Sequence, residues 1–160
     1  MDTDRRINLM EGALSRQQKN NAAADTKVST LIGINTTMLA VLAALITRIS
    51  QASPLMIAFV ILSAGGLLIG ILFLSFSSAP RTSKNRSSVI FFGSIARMSS
   101  EAFRDAITSI TAEEYLNDLA EQIHRTSEIA TAKYRWIQRA QMAWYWSIVP
   151  WLITVYELAQ

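Results

Sequence analysis

Cysteine is absent from this chain of 160 residues, and His124 is its only histidine. Without thiols the protein has no disulfide framework, no thiolate nucleophile and no cysteine-based metal site. A lone histidine is a poor start for a metal site, and we expect His124 to face solvent on a helix. The sequence also shows no nucleophile beside a base and no close carboxylate pair. We therefore expect no enzyme activity, no metal and no cofactor.

The excess of positive charge is also small. The chain has 15 basic and 12 acidic residues, a net charge of +3, which is too mild to indicate a nucleic-acid partner. By contrast, 51% of the residues are apolar, and they are concentrated in long uncharged blocks. This distribution is typical of a membrane protein.

Two uncharged blocks predict a pair of membrane-crossing helices. The first, Val28–Thr47, would extend about 30 Å as a helix, which is the thickness of the hydrocarbon core of a bilayer. The second has no charge from Ile49 to Ala79, and Pro54 is expected in its first helical turn. Ser50–Ala52 resembles a signal-peptidase site, but the polar lead before the first block and the length of that block favour its retention. The two blocks therefore predict a transmembrane hairpin.

A third apolar segment, at residues 144–158, is shorter and contains Pro150. Trp144, Tyr145 and Trp146 at one end and Tyr156 at the other have the spacing of two interfacial aromatic belts. This pattern favours a short spanning helix over a hairpin that lies in the interface.

The expected fold is an all-α integral membrane protein with about three transmembrane helices and a helical cytoplasmic region between the second and the third. Its segments are an N-terminal tail, a transmembrane hairpin, a cytoplasmic region and a third transmembrane helix, at residues 1–27, 28–79, 80–143 and 144–158. Five basic residues precede Val28, one lies in the first turn, nine lie between Ala79 and Trp144, and none follows Trp146. Because short loops rich in Lys and Arg stay in the cytoplasm, we expect the N-terminus and residues 80–143 on that side.

Local patterns divide the cytoplasmic region. The apolar stretch Val89–Ile95 fits either a short strand or the first turns of a helix. A short helix is expected from Ser100 to about Ile110. Thr111 and Glu114 form a capping-box pattern that predicts the start of a long helix. Its apolar or small residues recur every three or four positions and form one buried seam: Leu116, Leu119, Ile123, Thr126, Ala130, Tyr134 and Ile137.

Several short motifs occur in a fixed order from the tail to the last apolar segment. They are Ala24-Asp25-Thr26-Lys27-Val28-Ser29 leading into Leu31-Ile32-Gly33-Ile34-Asn35, then Phe91-Phe92-Gly93, Tyr115-Leu116 with Leu119, Gln122-Ile123, and Ala130-Thr131-Ala132-Lys133-Tyr134-Arg135. In this order and with this arrangement of spans, the chain resembles the membrane effectors of Pycsar antiphage systems over nearly its whole length.

The resemblance implies a multi-pass protein of the bacterial inner membrane, paired with a pyrimidine nucleotidyl cyclase. It also implies activation by cyclic CMP or cyclic UMP during phage infection, followed by damage to that membrane. No Gly-rich cassette and no Arg-Ala-Ala stretch of the usual cyclic-nucleotide-binding fold is present, so the mode of binding stays open. Two other functions fit the same spans: a membrane-anchored adaptor whose long helix binds a partner, and a small channel or transport subunit.

A cyclic mononucleotide needs a cation for its phosphate, a hydroxyl partner and an aromatic or guanidinium face for its base. Residues that supply such groups near the third span are Lys133, Tyr134, Arg135 and Arg139. A second basic set, in a Ser-rich stretch, comprises Arg81, Lys84 and Arg86, and a pair of stacking candidates comprises Phe91 and Phe92. The alternative interpretation is that the cations only set membrane topology and that the phenylalanines belong to a core.

Five positions are expected to act inside the helical framework. Asp25 and Lys27 lie on different sides of one helix, so we expect partners in the cytoplasmic region and a role in coupling the tail to it. Asn35 is costly against lipid and should face protein, either as a contact between helices or as a pore-lining group. Gly66 and Gly70 have a spacing that allows another helix to approach closely.

A pore cannot be enclosed by three thin spans of one chain, so membrane damage would require a homo-oligomer. We expect the seam from Leu116 to Ile137 and the Gly66–Gly70 face to supply the contacts between copies.

Overall fold

A computed structural model describes residues 2–47, 53–79 and 88–159. All regular structure in these ranges is α-helical. The helices are α1 (Thr3–Ile46), α2 (Pro54–Ser78), α3 (Phe92–Ile95), α4 (Ser100–Ser109) and α5 (Ala112–Ala159). The all-α expectation is thus confirmed. The stretch from Val89 to Ile95 bends at Val89 and Ile90 and then forms the short helix α3, rather than a strand.

Local capping explains where two of these helices begin. Ser53 is extended, and its side chain accepts a hydrogen bond from Met56 N at 3.2 Å, with Pro54 in the first turn of α2. Ser99 does the same for α4 by accepting from Ala102 N at 3.1 Å. In both cases a hydroxyl takes up an amide that lacks a partner within the helix. The predicted start of α2 is confirmed.

The capping box at the start of α5 is also confirmed. Glu114 N donates to Thr111 Oγ1 at 3.3 Å, and Thr111 N donates to the Glu114 carboxylate at 2.8 Å. The Thr111 hydroxyl donates to the same carboxylate at 2.7 Å. The hydrogen bond from the Thr111 amide, followed by the one from its hydroxyl, lowers the pKa of Glu114 below its ordinary value.

This lowered pKa predicts a pH-dependent N-terminus of α5. Glu114 gives up a proton more readily in the folded protein than in the unfolded chain, so its ionised carboxylate stabilises the start of α5 fully at pH values above the unfolded pKa. This stabilisation is lost as the pH falls through the folded pKa. We expect amide exchange at residues 112–116 to accelerate, relative to the intrinsic rate, between neutral pH and pH values below the usual Glu range. Glu114→Gln should remove most of this pH dependence, whereas Glu113→Gln should leave it intact.

The chain divides into two compact units, and each long helix contributes to both. Unit 1 comprises residues 1–23 and 80–131, and unit 2 comprises residues 24–79 and 132–160. These boundaries differ from those drawn from hydropathy, because apolar runs mark where lipid contact begins and not where packing partners change. Residues of the tail join the unit that contains the polar region, and the charged residues 133–139 join the apolar bundle.

Unit 2 is a bundle of three helical segments, with α2 antiparallel to the other two. One apolar cluster contains Ala24 and Val28 of α1, Leu74 of α2, and Ile137 and Ala140 of α5. A second cluster contains Met38 and Leu42 of α1 and Leu67 of α2, packed against Trp144, Ile148 and Trp151 of α5. The helices α1, α2 and α5 therefore each contribute to both clusters, and they pack against one another along the length of the bundle.

The outward face of α2 is apolar as well. Its exposed large side chains are Leu55, Ile57, Ile61, Leu62, Leu68, Ile69, Leu72 and Phe76. A contiguous exposed surface of this kind is unfavourable in water and is expected next to lipid. In the part of the chain that the structure describes, α1 and α2 are long and apolar enough to cross a bilayer.

Unit 1 is organised around the first half of α5. Leu119 is almost fully buried, and Ala130 is 7% exposed. Asn21 of α1 donates to the carbonyl oxygen of Thr126 at 3.2 Å, and Tyr115 donates its hydroxyl proton to Glu11 at 2.8 Å. Burial, followed by the hydrogen bond and the negative charge of Glu11, raises the pKa of Tyr115 above its ordinary value. No residue of the α5 seam is exposed, so the seam is covered within the chain.

Candidate ligand-binding and coupling sites

One end of the unit 2 bundle carries a layer of charged contacts between α1 and α5. Lys133 Nζ lies 2.6 Å from the Asp25 carboxylate, and Lys27 Nζ lies 5.1 Å from the centroid of the Tyr134 ring. Ser77, in the last turn of α2, donates to the carbonyl oxygen of Lys133 at 3.3 Å. The partners of Asp25 and Lys27 therefore lie on α5, at the level where α2 ends. The coupling role of the two residues stays a prediction.

The other two predicted ligand residues of this region lie on a different face of α5. Arg135 and Arg139 are exposed and line an open groove of about 470 Å³ with Gln138, Met142, Ala143 and Phe73 of α2. Lys133 and Tyr134 are turned toward α1 instead. A single ligand cannot meet all four side chains, because residues 133 and 135 differ by about 200° around a helix of 3.6 residues per turn.

Beside the groove lies an aromatic contact that was not predicted from the sequence. The Trp136 ring packs against Phe73 and Phe76, with ring centroids 5.7 Å and 5.2 Å apart. The Arg139 guanidinium lies over Trp136, 4.5 Å from the ring centroid. A tryptophan three residues before an arginine was a usable signal for this stack, since such pairs share one helix face.

In unit 1, Asp118 of α5 holds the segment that precedes α3. Its carboxylate accepts hydrogen bonds from Ser88 Oγ at 3.0 Å and from Val89 N at 2.9 Å. Ser88 Oγ in turn accepts from the amides of Ile90 and Phe91. One carboxylate and one hydroxyl thereby satisfy a run of backbone donors. No periodic pattern predicts this arrangement, since it joins residues 30 positions apart.

The two predicted stacking residues have different surroundings. Phe91 is 8% exposed, whereas Phe92 is 72% exposed, and their ring centroids lie 4.8 Å apart. A Cβ atom at Gly93 would meet the Phe91 ring at 2.6 Å, so glycine lets that ring fold back over the backbone. Phe92 alone presents a free face to a ligand. Arg81, Lys84 and Arg86 lie outside the residues that the structure describes.

A second cavity, of about 390 Å³, lies in unit 1. It is lined by Val89, Ala106, Ser109, Ile110, Glu114 and Asp118. Its volume lies within the range of ordinary ligand pockets. The two carboxylates favour hydrogen-bond donors, such as ribose hydroxyls or an exocyclic amine, and disfavour a phosphate.

Inside unit 2, small and polar residues mark the close approach of helices. A Cβ atom at Gly66 would overlap Ser147 Oγ, and one at Gly70 would lie 3.2 Å from Asn35 Oδ1 and 3.6 Å from the carbonyl oxygen of Ala140. Asn35 is 1% exposed and donates to the carbonyl oxygen of Leu31 at 2.7 Å. Asn35 thus faces protein. Gly66 faces α5, and Gly70 faces both α1 and α5.

This packing corrects one expectation. The Gly66–Gly70 face and the seam of α5 were expected to join separate copies, but both are occupied by contacts within one chain. The glycines are small enough for three helices to meet, so the close approach occurs in the monomer.

Comparison with protein families places these features in context. The Pycsar effector protein domain matches residues 9–158, which includes both units and all five helices apart from the ends of α1 and α5. The chain belongs to the Pycsar effector family. No curated protein and no solved structure matches the chain.

Membership defines the general role. The Pycsar effector family acts in antiphage defence, and its domain is a membrane effector and not a known enzyme family. The apolar helices agree with this assignment, and this Pycsar effector is a membrane protein that contacts the lipid bilayer.

Proposed function

We propose that this Pycsar effector is activated by cyclic CMP or cyclic UMP and then disrupts the bacterial inner membrane, which aborts the phage infection. The observation that carries the proposal is the family match over residues 9–158 in a chain whose apolar bundle has one strongly charged end. The charged contacts are made by the same helices that face lipid. Ligand binding in the aqueous phase can therefore change how these helices pack in the membrane.

In this proposal α5 provides a third span, and the bundle is multi-pass with its N-terminus in the cytoplasm. Between Arg139 and Glu157, α5 carries no charged residue over about 27 Å. Its exposed side chains in this interval are mainly apolar or aromatic: Met142, Tyr145, Trp146, Val149, Leu152, Ile153 and Tyr156. The parallel course of α1 and α5 places Asp25, Lys27, Lys133 and both groove arginines at one end, which the distribution of basic residues assigns to the cytoplasm.

We place the nucleotide in the cytoplasmic part of the protein. Phe92, at 72% exposure, offers a face for a pyrimidine base. Arg81 and Arg86 lie shortly before it in the sequence and have the charge required by the cyclic phosphate. The carboxylates of the unit 1 cavity would accept hydrogen bonds from the ribose or from the amine of cytosine.

Coupling is assigned to the contacts of Asp25 and Lys27 with α5. A ligand can change the state of the bundle only if it binds one arrangement of the helices more tightly than another. Rotation or sliding of α5 against α1 would break the Asp25–Lys133 pair and move Tyr134 away from Lys27. These two contacts therefore distinguish a resting arrangement from an altered one.

Membrane disruption is proposed to require a homo-oligomer. Because the α5 seam is covered within the chain, the contacts between copies are assigned to the outward apolar faces of α2 and α5. On these faces protein can replace lipid without exposing polar backbone.

The test is dye release from sealed vesicles that carry the purified full-length protein. Cyclic CMP or cyclic UMP should produce release, whereas cyclic AMP and linear UMP should not. Release that ignores every nucleotide would support a constitutive channel, and no release with any nucleotide would support the membrane-anchored adaptor.

Charge reversal at Asp25 tests the coupling in the same assay. Asp25→Lys would place a second ammonium group beside that of Lys133, and we expect the nucleotide concentration for half-maximal release to shift by about tenfold. The exchange of both charges, Asp25→Lys with Lys133→Asp, should restore most of the response. Because Asp25 is half-exposed, the pair adds little to stability, and a shift without loss of folded protein separates coupling from unfolding. Glu101→Lys makes the same charge change at an exposed position of α4 and is the control. A response of Asp25→Lys that equals the response of this control would contradict the coupling role.

A further inference from the structure

The groove beside Trp136 holds two guanidinium groups without a carboxylate partner among the described residues. The ion pairs among the described residues are Arg125–Glu128 and Asp25–Lys133, and neither involves Arg135 or Arg139. Both arginines are exposed and lie four positions apart on one face of α5. The rest of the lining is the amide of Gln138 and the side chains of Phe73, Met142 and Ala143. Charged and apolar groups side by side fit an amphiphile.

The length of α2 gives the depth at which the groove would lie in a bilayer. This helix has 25 residues and is about 37 Å long, which exceeds the hydrocarbon core of about 30 Å. An α2 that spans the bilayer would therefore extend its last turns to the headgroup layer. Phe73 and Phe76 lie in these turns and contact Trp136, over which Arg139 is stacked. A spanning α2 would thus bring the guanidinium groups close to the lipid phosphates.

We propose that the groove formed by Phe73, Arg135, Gln138, Arg139 and Met142 binds the headgroup of an anionic phospholipid. The phosphodiester accepts hydrogen bonds from both guanidinium groups, and Gln138 is placed for a headgroup hydroxyl or an ester carbonyl. Phe73 and Met142 contact the start of an acyl chain. This assignment does not depend on nucleotide activation.

The stack on Trp136 has a specific effect in this site. An exposed arginine loses rotational freedom when it binds, which weakens the interaction. Contact of one guanidinium face with the indole restricts Arg139 beforehand and leaves the N–H edges directed away from the ring. Two arginines can then meet one phosphate in the bidentate geometry that a lysine does not provide.

A lipid is favoured over a water-soluble nucleotide for a physical reason. A phospholipid brings its phosphate to this depth with its acyl chains already in the bilayer. A cyclic nucleotide would have to move its ribose and base from water into the headgroup layer. There the apolar lining residues Phe73, Met142 and Ala143 offer few polar partners.

The test compares lipids retained by the full-length protein. The protein is placed in nanodiscs with equal amounts of phosphatidylglycerol and phosphatidylcholine of matched acyl chains, released into mild detergent, and analysed by native mass spectrometry. The wild-type protein should retain phosphatidylglycerol in preference. Arg135→Gln combined with Arg139→Gln should reduce this preference by about fivefold for each arginine removed.

A matched control is Arg97→Gln combined with Arg104→Gln, which removes the same charge from exposed positions of unit 1 and should leave the preference unchanged. Arg135→Gln alone keeps the Arg139–Trp136 stack and provides the test if the double variant does not fold. The proposal is overturned by equal retention of both lipids in the wild-type protein, or by a groove variant that behaves like the control.

A final arm separates the two sources of phosphodiester. Cyclic CMP or cyclic UMP is added to the lipid-loaded wild-type protein, and retained phosphatidylglycerol is counted again. We expect no displacement. Displacement by either nucleotide would assign the groove to the nucleotide and overturn the lipid proposal, while vesicles that release no dye would contradict only the proposed function.

Discussion

Replacement of Gly66 by leucine is expected to destabilise the helical bundle by about 3 kcal/mol. Gly66 lies at a close contact between α2 and α5, and even a Cβ atom there would overlap Ser147 Oγ and approach the carbonyl oxygen of Ala143 at 3.4 Å. Ser147 is 1% exposed and already donates to Ala143, so a larger side chain at residue 66 must force the two helices apart. Unfolding by SDS from mixed micelles, followed by tryptophan fluorescence, measures the change.

The neighbouring glycine supplies a matched control. A Cβ atom at Gly65 would meet nothing within 4 Å, so Gly65→Leu should leave the unfolding midpoint almost unchanged. Both variants add the same side chain to the same helix, and differences in helix propensity or hydrophobicity cancel. Equal midpoints for the two variants would mean that α2 and α5 do not pack as described.

Removal of the Asp118 carboxylate is expected to release the segment before α3. In Asp118→Ala the Ser88 hydroxyl and the Val89 amide lose their acceptor, and Ser88 is 1% exposed. A buried donor left without a partner costs about 2 kcal/mol, which corresponds to about 30-fold faster amide exchange. Hydrogen exchange at residues 88–92 is the measurement, and the buried Phe91 should gain exposure in the same variant.

Asp105→Ala is the control for this experiment, since Asp105 is an exposed acidic residue of α4 in the same unit. It removes an equal charge and should leave exchange at residues 88–92 unaltered. Asp118→Asn should fall between the two, because its carbonyl oxygen can accept one of the hydrogen bonds. Faster exchange to the same extent in Asp105→Ala would attribute the effect to net charge rather than to the hydrogen bonds.

The separation of contacts between the two units bears on how this Pycsar effector works. Polar partners such as Glu11 and Tyr115 join the start of α1 to α5 in unit 1, while Asp25 and Lys133 join the same helices in unit 2. Both helices run through the two sets of contacts, and the proposed coupling would pass along them. Charge exchange at Asp25 and Lys133 therefore tests a junction and not a binding site.

Some residues were interpretable only in part. The charges of Lys133 and Arg135 indicated a site on this part of α5. However, residues two positions apart on a helix point to nearly opposite sides, so the two side chains do not share a site. The resemblance that linked residues 130–135 to Pycsar effectors led to the correct family. The four ligand residues proposed for this part of α5 did not converge on one pocket. Trp136, which organises the groove, was overlooked because an aromatic residue near a membrane span is usually an interfacial anchor.

The sequence by itself determined that this is a helical membrane protein and where α2, α4 and α5 begin, because hydrophobic runs and caps such as Thr111 with Glu114 depend on a few adjacent residues. Only the tertiary structure decided which residues meet across long separations: Asp25 with Lys133, Ser88 with Asp118, and Phe73 with Trp136. Those meetings depend on how each helix is rotated about its axis. The rotation is set by close contacts such as that of Gly66 with Ser147, which no local pattern reveals.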